Sequence, residues 1–154
     1  AKIENVRAPL DRDSSASKPS KRAETRELTA AGDVLGTVSY MSPEQLAGKK
    51  IDGRSDLFSL GVTLYQLLCG RLPFDGESMA QLMFAIASNP HPPIRTYNAK
   101  LPPWIETIID KALAKDPDTR FQTGSEFAEA IKDAVRQARA AATAAPGAAG
   151  HAPS

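Results

Sequence analysis

The sequence of 154 residues has few of the residues that build disulfide scaffolds, metal sites or membrane spans. Its only cysteine is Cys69, which excludes an internal disulfide and a zinc site built on cysteines. The two histidines, His91 and His151, are too few and too far apart for a histidine metal site. There is no run of 18 apolar residues and no signal-peptide core, so the sequence predicts no membrane segment in this chain.

A strong charge of either sign is also missing. Nineteen Lys and Arg residues are balanced by 18 Asp and Glu residues, which leaves a formal net charge of +1. A field this weak does not favour nucleic acid or an anionic membrane as a partner. The single cysteine and the absence of a signal peptide fit a reducing compartment, and we predict a cytoplasmic location.

The composition divides the chain into three parts. Residues 1–33 include the polar run RDSSASKPSKRAETRE, which offers too little apolar surface to offset its ordering entropy and is predicted to be a mobile segment. Residues 34–140 carry the regular apolar patterns of a globular domain. Residues 141–154 are rich in Ala, Pro and Gly and are predicted to form a flexible tail, although their Ala run could extend a helix.

The globular part is predicted to be mainly α. Its first helix runs from Arg54 to Cys69, with Ser55 as the N-cap and Gly70 as the C′ stop. The apolar residues of this helix cover nearly all of its sides, and a helix of that kind is typically buried.

Three amphipathic helices are predicted around it, over about 78–88, 103–115 and from 123 onward. Pro103 suits a first turn, and Thr123 with Glu126 has the spacing of a capping box. Their predicted apolar faces are Met79, Leu82, Met83 and Ile86; Trp104, Ile105, Ile108, Ile109 and Ala112; and Phe127, Ile131, Ala134 or Val135, and Ala138. No strand is predicted, and His91, flanked by Asn and Pro, is interpreted as a solvated connector residue.

Three segments occur in the order found in one known family. GTVSYMSPEQ at 36–45 resembles the end of a kinase activation loop, with SPE in place of the usual APE. GRSDLFSLGVTLYQLLCGRLPF at 53–74 resembles the long helix of the kinase large lobe, and KALAKDPDTRFQT at 111–123 resembles the segment before its last helix. Over about 34–135, the chain therefore resembles the C-terminal part of the catalytic domain of bacterial eukaryotic-like serine/threonine protein kinases.

The resemblance implies roles for three residues that would hold a protein substrate. Thr37, after Gly36, matches the threonine whose hydroxyl contacts the catalytic aspartate, and the alternative is a turn-forming threonine. Tyr40 is expected to line the substrate-facing wall, with core packing as the alternative.

The resemblance also implies a structural motif of three residues. Glu44 matches the glutamate that pairs with a buried arginine, here Arg120, and a bidentate pair would fasten the loop to the helical core. Asp56 matches the aspartate that accepts backbone N–H bonds from the catalytic loop, and compensation of helix N-terminal charge explains it equally well.

The motifs that bind ATP and magnesium in this family are absent from the sequence. It has no GxGxxG, no VAIK-like strand, no HRDLKPEN-like run and no DFG. Residues 11–21, DRDSSASKPSK, contain an Asp-Arg-Asp, but the lysine and asparagine do not fall where a catalytic loop needs them. We therefore expect no catalytic, cofactor-binding or metal-binding residue in this chain, while the intact parent would use ATP and magnesium.

These observations predict a C-terminal fragment of a protein kinase, inactive alone, with the ATP-binding lobe and catalytic loop lying upstream or lost. Its expected partners are a protein substrate or the missing N-terminal half of the kinase. The alternative is a catalytically dead kinase-like scaffold that docks a partner through residues 78–100. Thr25 and Thr29 lie where the family carries phosphorylated threonines and are predicted phosphosites of the parent.

Overall fold

A computed structural model of the protein describes residues 32–144, and these form helices without any strand. The six α-helices are α1 (32–38), α2 (Pro43–Leu46), α3 (Gly53–Cys69), α4 (Met79–Ser88), α5 (Trp104–Ala112) and α6 (Gly124–Ala144). Two short 3₁₀ helices lie at Ile94–Thr96 and Pro117–Thr119. The predicted mainly α fold is confirmed.

Helix α3 ends where the sequence predicts and begins one residue earlier. Gly70 adopts the left-handed conformation with φ of 75° and donates its N–H to Gln66, as a C′ glycine does. The N-cap is Asp52, whose carboxylate accepts from the Arg54 N–H at 2.9 Å. The prediction of Ser55 as N-cap is wrong, because the Ser55 side chain is buried and used elsewhere.

One side of α3 forms the centre of the core, while the other is open. Phe58, Val62 and Tyr65 are fully buried. Leu60 and Leu67, however, are 51% and 79% exposed, so the prediction that this helix is buried all round is wrong. The apolar residues of the helix were predicted correctly, but this second face is covered only in part: Leu60 lines an open pocket with Phe127 and Ile131 of α6, while Leu67 stays largely exposed.

Helix α5 crosses α3 at close range. A Cβ added at Gly61 would lie 2.9 Å from the Ala112 Cβ, so the glycine permits this approach. Helix α5 buries four residues of its predicted stripe, Ile105, Ile108, Ile109 and Ala112, and leaves Trp104 partly exposed. It ends at Ala112, three residues before the predicted end. Pro117 disfavours helical backbone at Asp116, which instead accepts from the Asp118 N–H at 2.9 Å.

Helices α4 and α6 pack on either side of this pair. In α4, Leu82, Ala85 and Ile86 are buried, while Met83, predicted on the inner face, is 37% exposed. The reason is that Ala85 and Ile86 lie together at the contact, which turns Met83 outward.

Helix α6 begins with the predicted cap in a shifted form. Thr123 Oγ1 accepts from the Glu126 N–H at 3.0 Å, but the Glu126 carboxylate accepts from Gln122 rather than from Thr123. Phe127 is buried against Phe121, whose ring centroid lies 4.5 Å away. Ala138, predicted on the inner face, is exposed, because α6 extends beyond the core and continues to Ala144.

Candidate functional site

The short helix α2 places one carboxylate in the interior. Ser42 and Gln45 form a capping box, in which each side chain accepts from the other residue's backbone N–H, at 3.3 and 2.8 Å. Pro43 occupies the first helical turn. With both ends of this turn fixed, the next residue, Glu44, points into the core and is 7% exposed.

Arg120 meets the Glu44 carboxylate in a bidentate contact. Its Nη1 donates to Glu44 Oε1 at 2.6 Å and its Nη2 to Oε2 at 2.8 Å, across 76 positions of sequence. Ser55 Oγ donates a third hydrogen bond to Oε1 at 2.6 Å. The arginine side chain is 0% exposed and the glutamate side chain 8%, so the pair is largely shielded from solvent.

The remaining N–H groups of Arg120 hold backbone carbonyls of two segments. Its Nε donates to Ala114 at 2.6 Å, Nη2 to Lys115 at 3.0 Å, and Nη1 to Arg54 at 3.2 Å. The guanidinium also lies over the Phe58 ring, 4.9 Å from its centroid. Arg120 thus joins α2, the start of α3 and the turn after α5 at one point.

The surroundings of Glu44 keep it charged. Burial raises the pKa of this carboxyl, but the hydrogen bonds from Arg120 and Ser55 together outweigh burial and hold the pKa at about 2. The carboxylate is therefore ionised at any physiological pH. A charged, fully hydrogen-bonded buried pair fastens structure and offers no titratable group for acid–base chemistry.

The three residues predicted to hold a substrate precede Glu44 in the chain. Gly36 and Thr37 are exposed on α1, where Thr37 Oγ1 donates to the Asp33 carbonyl at 3.2 Å. Tyr40 is half-buried against the core, its hydroxyl donates to Gln66, and its carbonyl accepts from Ser59 Oγ at 2.6 Å. The backbone around Thr37 is helical rather than a turn. Tyr40 packs against the core, which is the alternative interpretation given for it above.

Other predicted residues lie apart from the pair. Asp56 is exposed in the first turn of α3. Thr25 and Thr29 lie outside the described residues. His91 is not a solvated connector: its side chain is 13% exposed, its Nε2 lies 3.1 Å from Asp110, and its ring meets Tyr65 edge-on. The neighbouring prolines suggested an open loop, whereas α5 supplies a partner that no local pattern could show.

Sequence reasoning missed two side chains of this region. Ser55 was assigned to a cap, and its proximity to Glu44 depends on how α2 folds against α3. Lys115 was assigned no role, yet its ammonium group reaches 29 positions back to the Ile86 carbonyl. Both contacts are tertiary, and no periodicity signals them.

Residues 32–144 contain neither a metal-binding cluster nor a membrane-spanning helix. Within residues 32–144, no three His, Cys, Asp or Glu side chains cluster closely enough to hold a metal ion. None of the helices in that range combines the length and apolarity needed to cross a membrane.

Comparisons with known proteins identify the family of this chain. The protein kinase domain family matches residues 16–134, beginning upstream of the described part. The serine/threonine-protein kinase Pkn1 of Myxococcus xanthus is 41% identical over 109 residues, and PrkC of Bacillus subtilis is 40% identical over 107. The twitchin kinase region from C. elegans superposes with a TM-score of 0.55 at 28% identity, over 63% of this chain.

The chain belongs to the protein kinase domain family, and it resembles the bacterial eukaryotic-like serine/threonine kinases within it. The two bacterial matches cover 71% and 70% of this chain. In the other direction, the chain spans only 16% of the length of each relative, and 16% of the twitchin chain.

Proposed function

We propose that this chain is the C-terminal part of a serine/threonine kinase catalytic domain whose other part carries ATP binding and catalysis. The complete enzyme would transfer the γ-phosphoryl group of ATP to a Ser or Thr hydroxyl of a protein. In it, Gly36, Thr37 and Tyr40 would hold the substrate segment. The Glu44–Arg120 pair would keep that segment on the helical core, and Asp56 would hold the catalytic loop.

The observation that carries this proposal is the open face of α3. The helix is the centre of the core, yet Leu60 and Leu67 on its other side are half and four-fifths exposed. An exposed apolar face on a central helix is typical of a surface that another protein segment covers. The second half of a kinase domain is the partner that the family membership suggests.

A binding experiment tests the incompleteness of the chain. Because the phosphate-binding loop, lysine strand and magnesium ligands of the family are absent from the sequence, we expect no binding of Mg-ATP in a calorimetric titration. Micromolar affinity would contradict the proposal. Reading the genome upstream of Ala1 provides an independent check, since an in-frame N-terminal kinase half supports the proposal and a start codon at that point counts against it.

A second experiment tests the partner. A segment with the glycine-rich loop and catalytic loop, from the upstream frame or a bacterial relative, is expected to bind this chain. Leu67→Glu should weaken that binding at least tenfold without unfolding the chain, because Leu67 is exposed. Phe84→Glu is the matched control, since Phe84 is 63% exposed and belongs to a different helix, α4.

A second candidate function is a kinase-like scaffold, and the surface of α4 favours it. An open groove of about 780 Å³ is lined by Asp75, Glu77, Gln81, Phe84 and Asn89, among others. Its charged side chains are both acidic and its exposed ring is apolar, so it suits a protein segment with a basic residue beside an apolar one. Here Phe84→Glu should weaken partner binding while Leu67→Glu does not, the reverse of the result expected above.

The proposed phosphosites concern the parent enzyme. Thr29, and then Thr25, would be modified in the active kinase, where arginines of the catalytic loop would pair with the phosphate. Mass spectrometry of the active parent should find phosphate on Thr29 first. Phosphate only on other residues of the segment would count against the assignment.

A further inference from the structure

The C-terminal end of α4 receives its positive charge from a distant residue. The last carbonyls of a helix lack donors within the helix, and they favour a nearby cation. Helix α4 has no basic residue in its last turn. Instead, Lys115 Nζ donates to the Ile86 carbonyl at 2.6 Å and to the Ala85 carbonyl at 3.3 Å.

Lys115 is held from two sides. Its ammonium group lies 3.7 Å from the ring centroid of Phe74, in the connector before α4. Its own carbonyl accepts from Arg120 Nη2 at 3.0 Å, and the preceding carbonyl, of Ala114, accepts from Arg120 Nε at 2.6 Å. The backbone that carries Lys115 is therefore fixed by the same guanidinium that binds Glu44.

We propose that Lys115 is a positioning residue that holds the end of α4 in register with the Glu44–Arg120 pair. A substitution that breaks the Glu44–Arg120 pair should then destabilise the last turn of α4, and a substitution of Lys115 should destabilise the same turn directly. The α4 surface, with Phe84 and the acidic groove beside it, is thereby coupled to segment 43–46 through three side chains. The inference depends on neither proposed function, since it concerns contacts within this chain.

The proposed coupling predicts the direction in which the pKa of Lys115 should change. Burial, and to a smaller degree the charge of Arg120, lowers the pKa of Lys115 to about 8. Glu44 neutralises Arg120, so replacing Glu44 with Gln should lower the pKa of Lys115 further. Among the titratable groups near the Phe74 ring is His91, whose ring centroid lies 6.5 Å from that of Phe74 and whose Nε2 contacts Asp110.

Amide hydrogen exchange measured by NMR tests the first step. The Asn89 N–H donates to the Ala85 carbonyl at 3.0 Å and reports the last turn of α4. Lys115→Met keeps the apolar stem but removes the charge, and should raise exchange at Asn89 about tenfold, the loss expected for a hydrogen bond to a charged group. Lys115→Arg should restore most of the protection.

Lys111→Met is the matched control. Lys111 also lies over a ring, that of Phe121 at 4.6 Å, and contacts Glu126 at 2.6 Å, but it faces α6. It should leave exchange at Asn89 unchanged. Equal effects of Lys111→Met and Lys115→Met, or no effect of either, would overturn the assignment of Lys115.

Glu44→Gln tests the second step, with wild type and variant compared in a stabilising osmolyte so that both remain folded. Exchange at Asn89 should rise, and the pKa of Lys115, followed through its Cε resonance, should fall below that of the wild type. If both stay unchanged while Lys115→Met still loosens α4, the coupling to the pair is refuted.

Discussion

Replacement of Arg120 with Ala removes the point at which three segments meet. The guanidinium makes five hydrogen bonds, two to Glu44 and one each to the carbonyls of Ala114, Lys115 and Arg54. Removing one partner of a buried ion pair costs about 3–5 kcal/mol, because the other charge stays buried and unpaired. Although burial raises the pKa of Glu44, the hydrogen bonds from Arg120 and Ser55 lower it to about 2, so the carboxylate that loses its partner is charged at neutral pH in the native fold.

Urea denaturation followed by the fluorescence of Trp104, the only tryptophan, measures this loss. With a slope of about 1–3 kcal/mol per molar urea, a loss of this size should lower the midpoint by at least about 1 M. Since a whole domain is stabilised by about 5–15 kcal/mol, the variant is expected to be close to unfolding.

Two comparisons show whether the burial of the ion pair is the reason for the expected loss of stability in Arg120→Ala. Arg54→Ala removes a partly exposed arginine that contacts Asp52 and Asp118 near the surface, and should cost much less stability than Arg120→Ala. The penalty of Arg120→Ala should also shrink at pH 4, where an unpaired buried Glu44 can take up a proton. A midpoint that Arg120→Ala leaves unchanged, or lowers no more than Arg54→Ala does, would refute the reasoning.

Three further outcomes are expected in the same assay. Because the pKa of Glu44 is lowered in the folded chain, its charged form stabilises the fold above about pH 4.5, and this contribution is lost as the pH falls toward 2. The free energy of unfolding should therefore decline more steeply with acid in the wild type than in Glu44→Gln, and parallel curves of this free energy against pH would contradict the expectation. Gly61→Ala should cost about 1–3 kcal/mol, since the added methyl group meets Ala112; no loss would mean that α3 and α5 separate easily. Gly70→Ala should cost about 1–2 kcal/mol, because alanine resists the left-handed conformation, and an unchanged midpoint would show that the helix end adapts.

Local signals in the sequence located the helices well. Gly70 predicted the exact last residue of α3, and Thr123 predicted the start of α6. Both signals are reliable because each residue caps its helix through the adjacent turn of backbone. Ser55 misled for the same reason: it has the chemistry of an N-cap, but its hydroxyl is taken by Glu44 across a tertiary contact. A local pattern cannot reveal a competitor that lies in another segment.

The site could be predicted only through the family resemblance. Glu44 and Arg120 are 76 positions apart, and no periodicity or spacing joins them. The resemblance named this pair, but it named neither Lys115 nor the contact of His91 with Asp110. Those contacts depend on the path of the connectors, which composition does not specify.

The open face of α3 affects how any stability measured on this chain is interpreted. A leucine that passes from full exposure to full burial contributes about 1.5–3 kcal/mol, so covering Leu60 and Leu67 would add a few kcal/mol. That gain is a substantial share of the stability of a whole domain. A partner that binds only the folded chain would raise its stability further as the partner concentration increases. In the complete domain proposed above, the free energy of unfolding is therefore expected to be higher than in the isolated chain, and the costs given above for Arg120, Gly61 and Gly70 apply to the chain alone.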